Sequence, residues 1–216
     1  MSVNPNENPA TRRASSRTTA GERARAATRA RLLESGKQLF AERGLHNITS
    51  HDIAAHAGVA AGTFYNHFAD KAALFREITD EALAELNRSL EAVTDPIKDR
   101  REGVRLRAAA LVGFAAENRE LIRILFSREA DATAIQSDVL QQMASRAAAD
   151  RQRLIDEGNM PEQIDPQVFA QALIGMWARV VAWWAEDTSR ATREVVIETL
   201  TQIQLHGTHP EIQNPS

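Results

Sequence analysis

The sequence predicts an all-α protein of about nine helices, in which a small helix-turn-helix unit of three helices precedes a larger helical bundle. Three observations predict it. Apolar residues recur at three- and four-residue spacing along most of the 216 residues, the period of a helix with one buried face. No stretch alternates apolar and polar residues for long enough to argue a strand. Residues 49–74, TSHDIAAHAGVAAGTFYNHFADKAAL, set two short amphipathic stretches on either side of Gly58, the pattern of a helix-turn-helix, which lays side chains into the DNA major groove.

Residues 1–21, rich in Asn, Pro, Ser, Thr and Arg, are expected to form a disordered basic arm, with Arg12, Arg13 and Arg17 available to a phosphate backbone or a minor groove. The first helix is expected from Glu22 to Arg43, with Leu32, Leu33, Gly36, Leu39 and Phe40 as its buried stripe. Ser50, an N-cap type, should open the second helix, which runs through Ile53 and Ala54 to Ala57. Gly58 stops it, because glycine takes a positive φ without steric penalty. A third helix follows at about Ala61. Its Phe64 and Phe68 share one face and can pack on Ile53, which leaves Thr63, Tyr65, Asn66 and His67 outward. Asp70 then caps a long helix from Lys71 to Val93, striped by Phe75, Ile78, Ala82, Leu86 and Leu90 and ended near Pro96. Further helices are expected at 96–117, 118–128, 132–157, 165–186 and 189–206, with breaks at 158–161 and 187–188 and a loose tail at 209–216.

Composition narrows the function classes. Hydrophobic residues make up 43% of the chain, enough for a substantial core, and the absence of cysteine excludes disulfides and thiolate metal sites. The N-terminus has no apolar segment of the signal-peptide kind. The longest apolar run, Val168 to Ala185, contains Gln171 and Arg179, so it reads as a buried helix and not a membrane span. A cytoplasmic protein without membrane contact is expected. The net charge of −3 hides an asymmetry: residues 1–31 carry seven Arg against Glu7 and Glu22, whereas residues 76–216 have a balance of −7. The basic end coincides with the helix-turn-helix and favours phosphate contact there. The six His, at 46, 51, 56, 67, 206 and 209, show no metal-binding spacing, and no nucleophile elbow or phosphate-binding glycine loop is present. No metal, cofactor or enzymatic activity is expected.

The residues Gly58-Val59, Gly62-Thr63, Phe64-Tyr65, His67-Phe68 and Lys71, preceded by Phe40-Ala41-Glu42-Arg43-Gly44 and Ile48-Thr49, stand in one fixed register over residues 28–75. In that register the chain closely resembles the TetR/AcrR family of transcriptional regulators. Ala60 departs from the family's usual capping Ser, and Ala61 stands where a polar or basic residue often meets a base. The resemblance implies a TetR-like, homodimeric repressor that binds a palindromic operator in double-stranded DNA and is released by a small-molecule ligand. It implies a DNA-binding domain at 22–69 and a ligand-binding and dimerisation domain at 70–208. By position, Thr49, Ser50, Tyr65, His67 and Lys71 are expected at phosphates, and His51, Gly62, Thr63 and Asn66 near base edges, with Ala61 on the same DNA-binding face. A protein of the same fold with an architectural or protein-controlled role, and no inducer, is one alternative; an all-helical enzyme, for which the sequence shows no chemistry, is the other.

The last two helices carry more apolar surface than one amphipathic helix needs, and some of it is expected to meet a second chain. The candidates are Phe169, Leu173, Trp177, Val180, Val181 and Trp184, with Val196, Leu200 and Ile203 from the final helix. By the resemblance, Phe114, Ile122, Leu125, Phe126, Met143 and Trp177 are expected to line a cavity for an apolar or amphipathic ligand such as an acyl chain, an aromatic compound or a drug.

Overall fold

The computed structural model describes residues 9–93, 99–127, 130–158 and 163–206, with side chains from Ala20 onward except those of residues 130–131. Among these residues the chain forms α1 (Pro9–Arg43), α2 (Ser50–His56), α3 (Ala61–Tyr65), α4 (Lys71–Ala92), α5 (Arg100–Glu117), α6 (Arg119–Leu125), α7 (Ala130–Asp156), α8 (Pro166–Glu186) and α9 (Arg193–His206), with a 3-10 turn at Thr188–Arg190 and no strand. The side chains of Arg12, Arg13 and Arg17, the expected break at 159–161 and the tail at 209–216 lie outside the described residues.

α1 begins at Pro9, well before the expected start at Glu22, so residues 9–21 are helical where disorder was expected. Proline suits the first helical turn, where its missing N–H is not needed. After it the run to Arg31 holds Ala and Arg, strong helix formers, and no further proline.

The chain divides into two compact units between Ile78 and Thr79, inside α4 and not at the expected join of residues 69 and 70. The first turns of α4 belong to the head because their side chains complete its core. Leu74 and Phe75 are fully buried, and the Phe75 ring stands edge-on to Phe40 at 5.5 Å. Gly36 of α1 lies where a Cβ would run into a δ-methyl of Leu74. Leu32, Leu45, Ile48, Ile53 and Phe64 fill the rest of this core.

The second unit is a helical bundle with two buried clusters. In the larger one, Ala108, Val112 and Ala115 of α5 meet Trp177, Val181, Trp184 and Ala185 of α8, with Val196, Ile197 and Leu200 of α9. In the smaller one, Ala144 and Ala148 of α7 pack on Ala170 of α8. α8 is long and apolar enough to cross a membrane by length and composition. Its buried residues are instead the centre of this bundle, so the helix gives no reason to infer a span. Asp165 caps it by accepting from the N–H groups of Gln167 and Val168, both at 2.9 Å, and Pro166 takes the first turn. At its other end the Arg119 guanidinium donates to the carbonyls of Ala185, at 2.6 Å, and Glu186, at 2.9 Å. That places a cation at the negative end of the helix dipole.

Helix boundaries differ from expectation mainly where local caps decide them. α5 starts at Arg100 because the Asp99 side chain accepts from the Arg101 N–H at 2.9 Å. The helix expected at 189–206 is divided. Asp187 caps the 3-10 turn, Ala191 is extended, and the Trp184 indole holds it by donating to its carbonyl at 2.9 Å.

Gly36→Val is expected to destabilise the head by about 1–3 kcal/mol, since the fully buried Leu74 must shift to admit the new side chain. Urea unfolding followed by circular dichroism measures it, and an unchanged midpoint would show that α1 and α4 are not closely packed there.

Candidate functional site

Thr49, not Ser50, is the N-cap of α2. Its hydroxyl oxygen accepts from the Asp52 N–H at 3.2 Å, and Asp52 Oδ2 accepts from the Thr49 N–H at 2.8 Å and from its hydroxyl at 2.7 Å. This reciprocal box contributes about 1 kcal/mol of capping. The same bonds from Thr49, hydroxyl first and then backbone, hold the Asp52 carboxyl below its ordinary value of 3.8. Gly58, at φ +66°, turns the chain, and Val59 is half-buried behind it with its N–H donating to the Ala54 carbonyl at 3.0 Å.

α3 has only five residues, and its N-cap, Ala60, offers no side-chain bond. What fixes it is the aromatic cluster beneath. Phe64 and Phe68 are buried with ring centroids 5.7 Å apart, and the Phe64 ring stands edge-on to Tyr65 at 5.5 Å. Tyr65 itself is 52% exposed, and its ring meets that of His51 at 6.5 Å. His51, Gly62 and Asn66 are exposed with it, while Ser50, Ala61 and Thr63 are half-buried. The structure therefore brings the α2 start and the α3 face together as one surface.

Two groups behind that surface have roles that spacing did not reveal. Lys71 turns inward: its Nζ donates to the carbonyls of Leu45 at 2.8 Å and Ile48 at 3.0 Å, which ties the start of α4 to the turn leading into α2. The end of α3 is held from α1. Arg25 donates to the Asn66 carbonyl at 3.4 Å, and Arg29 donates to the His67 carbonyl at 3.1 Å, pairs with Glu77 and lies over the Phe68 ring at 4.4 Å. Part of the basic excess of residues 1–31 is thus spent on backbone carbonyls. His67 follows α3 in the turn and is half-buried; burial first, then Arg25 and Arg29, hold its imidazole below the ordinary 6.5.

In the second unit Phe114, Ile122, Leu125, Phe126, Met143 and Trp177 line one apolar cavity of about 60 Å³. Thr79, Ala82, Leu83 and Leu86 of α4 form another part of its wall. The dimer-face expectation needs correction. Trp177, Val181, Trp184, Val196 and Leu200 are buried in the chain's own core and have no surface to offer a second chain. Phe169, Leu173 and Val180 are half-buried, Arg151 stacks over the Phe169 ring, and Ile203 is exposed. The apolar residues that do face outward are Val168 and Trp183 on α8 and Val195 and Ile203 on α9. Among the described residues no cluster of His, Asp and Glu is arranged to hold a metal ion.

A capped helix, a glycine turn and a short aromatic-backed helix define a helix-turn-helix unit of the DNA-binding kind. Residues 32–78 match the family model of bacterial regulatory proteins of the tetR family. The transcriptional repressor DhaR of Mycobacterium sp. (strain GP1) is 38% identical over 72 residues, which covers 33% of this chain and 36% of DhaR's own length. A TetR-family regulator from Pectobacterium atrosepticum is 29% identical, with a TM-score of 0.65 over 87% of this chain and 97% of that one. FadR from Bacillus subtilis, solved in complex with stearoyl-CoA, shares the fold at a TM-score of 0.70 and 18% identity, over 83% and 99% of the two chains. Residues 32–78 thus match the TetR-family DNA-binding region, and over most of its length the chain is similar to solved TetR-family regulators.

Lys71→Ala is expected to lower the stability of the head by roughly 1–3 kcal/mol, the worth of a charge-assisted bond pair. The salt slope of DNA binding should stay nearly unchanged, because the ammonium faces carbonyls; a slope reduced by about one unit would place it on a phosphate instead. The His67 shift gives a second test. Its folded value lies below the unfolded one, so the unfolded chain binds the proton more readily, and the contribution is present above 6.5 and lost as pH falls below it. His67→Gln should flatten the fall in melting temperature between pH 7 and pH 5, and an identical fall in the variant would remove His67 from the account.

Proposed function

We propose that this chain is a homodimeric repressor that binds a palindromic operator through the α2–α3 surface and is released by a small ligand in the cavity of its second unit. The observation that carries the reading is that one helix serves both places. α4 gives Leu74 and Phe75 to the head core and Leu83 and Leu86 to the cavity wall. A ligand that displaces the cavity half of α4 acts on the half that seats the head, and linkage requires it to favour the released form as DNA favours the other.

On this reading the exposed Tyr65 and the Thr49 and Ser50 edge lie at phosphates, with His67 beside them in the turn. His51, Thr63, Asn66 and the backbone at Ala61 and Gly62 face base edges. Phosphate contacts fix the register and edge contacts specify the sequence. A second copy is assigned to the outward stripe Val168, Ala172, Gly175, Arg179 and Trp183 on α8, with Val195, Thr199 and Ile203 on α9. Two heads related by a two-fold axis then read two half-sites.

The oligomer and the control are tested apart. Trp183→Glu with Ile203→Glu puts charge into the assigned interface and should yield monomers with weak operator binding, measured by sedimentation and fluorescence anisotropy. A wild-type chain that sediments as a monomer at micromolar concentration overturns the dimer. Ala178→Phe fills the cavity and should change operator affinity several-fold with the fold intact. Operator affinity indifferent to that change argues against ligand control, and dispersed genomic footprints would favour the architectural role.

A further inference from the structure

The apolar cavity of the second unit shares Leu111, Met143, Ile174 and Trp177 with a larger outer cavity of about 450 Å³. Its rim has different chemistry: Arg107, Arg146 and Arg153 stand there with Glu91 and Asp150. Two of these arginines are already engaged. Arg146 pairs with Glu91, and Arg153 pairs with Asp150 at 3.3 Å. Arg107 is half-buried and makes no ion pair or hydrogen bond among the described residues. An arginine with no partner among the described residues thus stands beside Leu111, Met143 and Trp177.

We propose that the ligand is an amphipathic anion. Its carboxylate or phosphate head sits in the fork of Arg107 with Arg146 alongside, and its apolar portion lies along Leu111, Met143 and Trp177 toward the inner cavity. A guanidinium matches a planar oxyanion through two parallel hydrogen bonds, and a neutral apolar ligand would leave that charge unsatisfied. The outer volume falls in the roughly 300–1,000 Å³ range of small-molecule sites. The inner one, at about 60 Å³, admits only the end of a chain, which favours a medium-length tail. The proposal deepens the reading of the second unit as ligand-controlled and rests on it.

The test is calorimetric titration of the full chain with decanoyl-CoA, decanoate, 1-decanol and coenzyme A. Decanoate or decanoyl-CoA should bind at least about tenfold more tightly than decanol, and coenzyme A alone should bind weakly; the first two arms tell a carboxylate head from a phosphate one. Arg107→Gln should weaken the anionic decyl probe about tenfold and leave decanol unchanged, with the circular dichroism spectrum preserved. Equal binding of decanol and the anions, with no effect of Arg107→Gln, overturns the anion assignment and leaves ligand control standing. Failure of every decyl probe to bind also overturns it, and ligand control is then judged by the Ala178→Phe result.

Discussion

Everything in this molecule depends on α4 belonging to two cores at once. A helix that serves one core needs only one apolar face, but α4 must present Leu74, Phe75 and Ile78 to the head and then Leu83 and Leu86 to the bundle. It does so without a glycine or proline between Lys71 and Ala92. Such residues are the usual cause of sharp helix kinks. The division between the units falls inside this helix, between Ile78 and Thr79.

The head uses charge mainly to satisfy backbone. Five residues of α3 leave several carbonyls and N–H groups without helical partners, and the chain supplies the missing partners from elsewhere. Arg25 and Arg29 reach the Asn66 and His67 carbonyls, and Lys71 reaches those of Leu45 and Ile48. Arg119 does the same for α8 in the second unit. Counting basic residues therefore overstates how many are available to phosphate, since a guanidinium bonded to a carbonyl has already surrendered part of its hydration.

What could be read from the sequence was what short-range stereochemistry decides. The Gly58 turn, the Leu32 to Phe40 stripe and the Asp165–Pro166 start follow from φ restrictions and helical spacing, and each is where that spacing puts it. Thr49 and Ser50 are both capping types, and Asp52 three residues after Thr49 was the signal that separates them. The inward course of Lys71 had no signal, because its acceptors lie more than twenty residues away in the chain. α8 failed in another way. Its apolar residues surround most of the helix, so periodicity could not say which of them turn to α5 and which to solvent, and Trp177, Val181 and Trp184 were placed on the wrong side.

The brevity of α3 has a consequence for the timescale on which its surface exists. Isolated helices of its length do not persist in water, and Ala60 adds no cap, so its order is borrowed from Phe64, Phe68 and the α1 arginines. Amide hydrogens in such an element exchange through small local openings, while those of Leu32 or Phe75 wait for the whole head to unfold. Such an element opens more readily than the core that backs it. Its conformation is set less by its own five residues than by the aromatic and basic side chains it is pressed against.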